Sequence, residues 1–171
     1  MKDEYFDIYD ETGNHVGRAL RRECHGNPSL LHHTSHVVVF HPDGRRILLQ
    51  KRSMSKDVQP GRWDTAVGGH VDPGEDYLAA ALRELREELG FAAEAKELRH
   101  LFDSKIRNEI ESEDVRVYGL RSAGPFRFQP EEIDGIRFWT RAELDDPESR
   151  KSFTPNLIAE LGLLLEKGLL P

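Results

Sequence analysis

The chain has 171 residues, 37% of them apolar and 32% charged, with a formal net charge of −7. That length suits one domain with its own core, and the composition is that of a soluble globular protein rather than a disordered one. The acidic balance excludes binding nucleic acid through a broad basic surface, but it leaves room for a small anion held by metal ions.

Tyr5–Tyr9 alternates as a strand, Thr12-Gly13-Asn14 carries turn chemistry, and Val16–Arg21 can return as a hairpin partner. The reading is a single domain over residues 1–171 with an N-terminal hairpin extension at about 1–30. Met1 to Asp10 is charged and lacks the apolar stretch of a signal peptide. Nothing is long or apolar enough to span a membrane. Cys24 is the only cysteine, so no intramolecular disulfide can form, which suits a reducing, cytoplasmic location. Cys24–Ser29 reads as loop.

His36–Phe40 is a short apolar run ending at the turn Pro42-Asp43-Gly44, and Ile47–Gln50 follows as the next strand. Pro60-Gly61 breaks the chain, and Trp63–Val67 reads as extended. Asp76–Leu89 is the strongest helix. Leu98–Ile106, Val115–Leu120 and Ile136–Thr140 read as strands, with a helical turn around Glu143. Phe153–Lys167 closes the chain as an amphipathic helix. Its Phe153, Leu157, Ile158, Leu161, Leu164 and Leu165 have the spacing of core or of a subunit contact. Strands and helices mix without strict βα alternation, so the expected fold class is α/β, a sandwich on a mixed β-sheet. The hairpin could also pair between subunits, giving a homodimer.

The chemistry lies in Gly69–Phe91, GHVDPGEDYLAAALRELREELGF. At about 100° per residue, Glu84, Glu87 and Glu88 share one face of the helix, while Leu78, Leu82, Leu85 and Leu89 lie roughly opposite. Asp76 can cap the helix N-terminus, and Gly90 suits the left-handed position after its C-terminus. Like charges at this spacing repel by a few tenths of a kcal/mol. A divalent cation removes that repulsion, and hard oxygen ligands suit Mg²⁺ or Mn²⁺. A bare E-x-x-E-E would read as a solvated acidic face. Here it sits in a longer pattern: Gly69, five residues, Glu75, seven residues, then Arg83-Glu84-Leu85-Arg86-Glu87-Glu88-Leu89-Gly90-Phe91. Its seven fixed identities coincide by chance with a probability below roughly 10⁻⁷.

That pattern resembles the Nudix box, and the chain resembles the Nudix hydrolase family. The resemblance implies a Nudix-type α/β/α sandwich and a Mg²⁺-dependent, MutT-like pyrophosphatase. Its substrate would be a small phosphorylated metabolite such as a nucleoside diphosphate derivative. It implies that Glu84, Glu87 and Glu88 bind metal, joined by the backbone carbonyl of Gly68. Arg83 would pair with Glu75 and orient it. The general base would be a box glutamate or an acid of a later loop, for which Glu131 and Glu132 are candidates; a solvated loop is the plainer reading of both.

A narrower likeness runs through Leu31-His32 to Phe40, Arg52-Ser53 to Lys56, Pro60-Gly61-Arg62-Trp63 and Gly69-His70. These segments are similar to isopentenyl diphosphate isomerase, which shares the fold and holds a metal with histidines. His25, His32 and His70 match its histidine positions, implying a second, transition-metal site. The alternative activity is isomerisation of a short isoprenoid diphosphate. Against it, Gly68 stands where the isomerase has a proton-transferring cysteine, and a glycine carries no proton. The isomerase's later catalytic glutamate would fall in Glu111-Ser112-Glu113-Asp114. A third class, a non-catalytic nucleotide sensor, has no need of the full carboxylate set. Lys51, Arg52 and Lys56 are candidates for the substrate phosphates, with a solvated basic loop as the default. Trp63, Tyr77 and Phe126-Arg127-Phe128 suit base stacking or core. His36, inside an apolar strand, reads as structural.

Overall fold

The computed structural model describes residues 3–171, so Met1 and Lys2 of the expected domain lie outside the described residues. Nine strands form one mixed sheet. They are β1 (Tyr5–Tyr9), β2 (His15–Leu20), β3 (Leu31–Phe40), β4 (Arg46–Arg52), β5 (Trp63–Thr65), β6 (Val67–His70), β7 (Arg99–Arg107), β8 (Ser112–Arg121) and β9 (Ile133–Thr140). The helices are α1 (Arg21–Cys24), α2 (Tyr77–Leu89), α3 (Arg141–Asp145), α4 (Pro147–Arg150) and α5 (Pro155–Glu166).

The long strand β3 organises the sheet. It pairs in parallel with β8 along its whole length and antiparallel with β1, β6 and β4 on its other edge. The strand β4 diverges to pair antiparallel with β5 and with β9. Because side chains alternate along a strand, β3 and β4 feed two cores. Val37, Val39 and Leu48 pack with Leu85 and Leu89 of α2. Val38, Ile47 and Leu49 pack with Leu157, Leu161 and Leu164 of α5. Both faces being covered, the run Val37-Val38-Val39 is apolar without alternation. The result is an α/β/α sandwich.

Local rules set the helix ends. Asp76 accepts the Ala79 N–H at 2.7 Å, and Gly90 closes α2 at φ 61°, a backbone angle that favours glycine. Of the four leucines expected to anchor α2, Leu85 and Leu89 are buried together with Ala80 and Ala81. Leu78 and Leu82 are only half-buried against the same core.

Several elements differ from the sequence reading. The strand β3 starts at Leu31, not His36, because its polar first half (Leu31-His32-His33-Thr34-Ser35) is buried by pairing and by the N-terminal hairpin. Trp63–Val67 is not one strand but β5 and β6, parted at Ala66 so that each pairs a different neighbour. Arg21–Cys24 is a helical turn rather than strand end and loop. It packs the buried Cys24 against Phe6, Ile8 and Ala19. Burial pushes that thiol up to about 11, so it is an inert core residue. Among the described residues, no helix is long and apolar enough to cross a membrane.

Candidate active site and metal centre

Three of the expected carboxylates emerge from the same side of α2 under β6. Arg83 ties two of them, Glu84 and Glu87, to Glu75 of the preceding loop. Its Nε and Nη2 donate to Glu75 at 2.9 and 3.0 Å, and Nη1 donates to Glu84 at 2.7 Å and Glu87 at 3.3 Å. Nη2 also donates to the His70 carbonyl at 2.9 Å, which fixes the loop between β6 and α2 to the helix. One planar guanidinium can do this because it presents five donors in a fixed fork. Glu87 is exposed, whereas Glu84 and Glu88 are half-buried.

Glu88 is the member of the set that Arg83 does not reach. Its oxygens accept only from the Gln50 amide at 3.1 Å and the Gly68 N–H at 3.2 Å. Burial, and then the neighbouring Glu84 charge, push its carboxyl up to about 8. Burial also raises Glu84 above its ordinary value, against the pull of Arg83. A half-buried carboxylate cluster with too few donors is chemistry suited to a hard divalent cation, and Gly68 brings its backbone to the same place.

Gly69 has to be a glycine. A Cβ there would fall inside the Glu84 side chain. Gly69→Ala is therefore expected to swing Glu84 out of the cluster while α2 stays folded. Turnover should drop about 100-fold, the cost of displacing a reacting group by about an ångström, with an unchanged far-UV circular dichroism spectrum. Wild-type turnover in this variant would mean that Glu84 is not in the machinery.

The histidines His25, His32 and His70 come from three separate segments yet meet. Their ligand atoms lie within 4.8 Å of one another, and so do those of His32, Glu111 and Glu113. His25 Nε2 is 3.5 Å from His70 Nε2. Glu113 Oε1 is 3.4 Å from His32 Nε2 and 3.5 Å from His70 Nε2. The His32 Nδ1 binds the Leu30 carbonyl at 3.1 Å, so a lone pair is left on Nε2. That Nε2 is buried without a hydrogen-bond partner among the described residues. Burial opposes the charge on Glu113, but the His32 and His70 imidazoles beside it hold it well below the usual carboxylate range. Glu111, beside it, is pushed up to about 7 by burial and by the Glu113 charge. An orphaned imidazole nitrogen facing ionised carboxylate and further imidazole fits a transition metal. Phe6 of β1 stacks on His70 at 4.4 Å and on His32 at 5.2 Å, covering the cluster.

The other sequence candidates fall at the margins. Lys56 is ion-paired with Glu132, so a phosphate candidate and a loop-base candidate hold each other. Glu131 is exposed. Arg52 donates from Nε to the Val58 carbonyl at 3.0 Å and lies 3.6 Å from Asp64. Lys51 is half-buried in β4, opposite Trp63 of β5. Trp63 packs edge-on against Trp139, Tyr77 stacks on His33 at 4.8 Å, and Phe126 and Phe128 pack on the α2 core. Gln50 was missed entirely. Its only signal is a polar side chain inside a buried strand.

Comparison with known proteins shows the family. The NUDIX domain family model matches residues 30–161. An uncharacterised Nudix hydrolase of Yersinia pestis is 35% identical over 96% of this chain and 87% of its own length. An isopentenyl-diphosphate Delta-isomerase of Streptomyces griseus is 34% identical, covering 86% of this chain and 77% of its own. A crystal structure from Deinococcus radiodurans superposes with a TM-score of 0.72 at 29% identity, over 92% of this chain and 96% of that one.

Proposed function

The chain belongs to the Nudix family and is a hydrolase of diphosphate bonds, and from that premise we propose a Mg²⁺-dependent (or Mn²⁺-dependent) pyrophosphatase of small phosphorylated metabolites. Nucleoside diphosphate derivatives are its substrate class, and residues 1–171 act as one Nudix domain with the 1–30 hairpin as an extension. The observation that carries the reading is Glu88, a carboxylate pushed up to about 8 with only two hydrogen-bond donors.

Glu84, Glu87 and Glu88, with the Gly68 carbonyl, would hold the cation. When bound, it supplies Lewis-acid stabilisation of the phosphoryl oxygens and eases ionisation of a water. The protein's own part is positioning. Arg83 and Glu75 keep the cluster aligned, and Gln50 and the Gly68 N–H orient Glu88. Lys56 stands ready to exchange its Glu132 partner for a substrate phosphate, with Arg52 and Lys51 nearby. That exchange would free Glu132 as a base. Residues His25, His32, His70, Glu111 and Glu113 form the second, transition-metal site.

The histidine cluster favours an isomerase reading, but that reading lacks a proton carrier at Gly68. The test is product analysis with Mg²⁺ across nucleoside di- and triphosphates, nucleotide sugars, ADP-ribose, dinucleoside polyphosphates and isopentenyl diphosphate. Release of phosphate or a monophosphate from one of them is expected. Conversion of isopentenyl diphosphate to its allylic isomer, without phosphate release, would overturn the hydrolase reading.

A further inference from the structure

At the end of the sheet away from the histidine cluster, an open pocket of about 340 Å³ lies between the ends of β3, β7 and β8 and residues 169–171. That volume is at the small end of the range, about 300–1,000 Å³, in which proteins hold small ligands. Phe40 is four positions along β3 from His36, the residue opposite Gly68. At about 3.3 Å per residue, the pocket is roughly 13 Å along the strand from the carboxylate cluster. It also opens on the α5 face of the sheet, whereas the carboxylates project from α2 on the other. It is therefore separate from the hydrolytic site.

The floor is apolar. Phe40, Leu101 and Leu169 are half-buried and pack on the α5 core. Gly119 lies beneath Phe40 and Leu101, and a methyl group on it would come within 3.2 Å of both. The absent side chain lets the two close into a continuous surface. One wall is set by Gly168, whose φ of 67° turns the chain back after α5. The Leu169 N–H then donates to the Leu164 carbonyl at 2.8 Å, which lays Leu169 against the sheet.

Two exposed arginines stand over this floor. Arg99 pairs with Gly119 across β7 and β8, and Arg121 is two residues further along β8. Both project from the same face, as diagonal neighbours about 7–8 Å apart. Arg121 is anchored, its Nη2 donating to the Pro42 carbonyl at 3.0 Å. Among the described residues neither arginine forms an ion pair, and the acids beside them are engaged elsewhere: Asp43 with Arg46 at 2.9 Å, and Glu97 with the Glu94 N–H at 2.7 Å.

We propose that this pocket binds a small amphiphilic anion, its apolar body on Phe40, Leu101 and Leu169 and its carboxylate or phosphate head on Arg99 and Arg121. Two solvated arginines alone hold an anion weakly, because water and salt screen the charge. An apolar floor alone takes a neutral molecule equally well. Side by side they reward a ligand that carries both parts. Its body gains by the apolar area it buries, and its head receives charge-assisted hydrogen bonds from two guanidinium forks. Such a site does not depend on which bond the enzyme cleaves.

The experiment titrates the full chain with octanoate, octyl phosphate, inorganic phosphate and 1-octanol, following the Gly119 amide and the Leu101 and Leu169 methyl groups by NMR. The Gly69 amide reports on the carboxylate cluster. Octanoate or octyl phosphate is expected to shift the pocket signals with an affinity at least about tenfold above that of inorganic phosphate and of 1-octanol, and the tighter of the two names the head group. Arg99→Ala/Arg121→Ala changes only exposed side chains, so it should fold, and it should weaken that ligand at least about tenfold while leaving 1-octanol unchanged. Arg99→Lys/Arg121→Lys should retain part of the affinity, since it keeps the charge and loses the fork. Binding of 1-octanol as tight as that of the anions, or an affinity unchanged in the folded double alanine variant, would overturn the anion site. Inorganic phosphate binding as tightly as the amphiphiles would mean an adventitious ion only. Shifts confined to Gly69, or none with any of the four, would overturn the pocket altogether.

Discussion

Glu88→Gln is expected to lower Mg²⁺-dependent turnover by about 100-fold to 1,000-fold while leaving the metal-free protein at least as stable as wild type at pH 8. A bound cation is worth several kcal/mol of charge stabilisation in a phosphoryl-transfer transition state, and each 1.36 kcal/mol is about tenfold in rate. Losing one of three carboxylate ligands forfeits much of that. The stability arm follows from linkage. Burial and then the Glu84 charge raise the Glu88 carboxyl to about 8. A carboxyl raised above its unfolded value favours the fold while protonated, and that contribution is lost as pH rises through about 8. Glutamine keeps the hydrogen bond to Gln50 and never ionises, so the variant escapes the loss. The same shift makes metal and proton compete for one site. At limiting Mg²⁺, wild-type turnover should therefore rise between about pH 6 and pH 9. Full turnover in Glu88→Gln, measured by phosphate release with thermal melts on the same samples, would show that this carboxylate holds no catalytic metal.

How far the site could be read in advance depended on how its residues are connected. The carboxylate face of α2 was legible because one helix sets the spacing of Glu84, Glu87 and Glu88, and spacing is visible in a sequence. The pairing of Arg83 with Glu75 rests on the family pattern, since nothing local states that a loop glutamate folds back onto the helix. His25, His32 and His70 meet only because α1, β3 and β6 converge, and they were reached through likeness to isomerases rather than through periodicity. Glu113 lies opposite His32 through the parallel register of β3 and β8. That register joins segments some 80 residues apart, and no periodicity reveals it.

The fold shows the same division. Where burial is one-sided or complete, as in α2, β4 and the Val37-Val38-Val39 run, apolar pattern located the elements to within a few residues. The first half of β3 was missed because its buried polar residues have specific partners. Ser35 donates to the Tyr77 carbonyl at 2.7 Å, and His33 is stacked between Tyr9 and Tyr77. Polar residues in a strand normally signal exposure, and here they signal a site. His36, read as structural, ties β3 to α5 through Glu160.

A saturating Mn²⁺ or Zn²⁺ concentration is expected to raise the melting temperature by about 5–10 °C through the histidine cluster. A ligand present at 100 times its Kd stabilises by about 2.7 kcal/mol, and in a domain of this length each kcal/mol moves Tm by about 2–4 °C. The site favours a transition metal because it mixes imidazole with carboxylate, and because His32 Nε2 is buried with no hydrogen-bond partner among the described residues. His25→Ala and Glu113→Gln should each remove most of the shift. His25 is exposed, so its removal leaves the core intact, whereas Glu113 is buried and supplies the negative charge. Glu88→Gln should leave the shift in place, which separates this site from the carboxylate cluster. The sign of the pH dependence is also fixed. Glu113 raises the proton affinity of His32 above its ordinary value, so a proton displaces the metal as pH falls. The shift should shrink from about pH 7 to about pH 5. A Tm that ignores both metals, or a shift that survives in His25→Ala and Glu113→Gln alike, would reduce the cluster to a hydrogen-bonded core under Phe6. Loss of the shift in those variants together with retained Mg²⁺-dependent turnover would instead make it a structural metal site that locks the N-terminal hairpin onto β3 and β6.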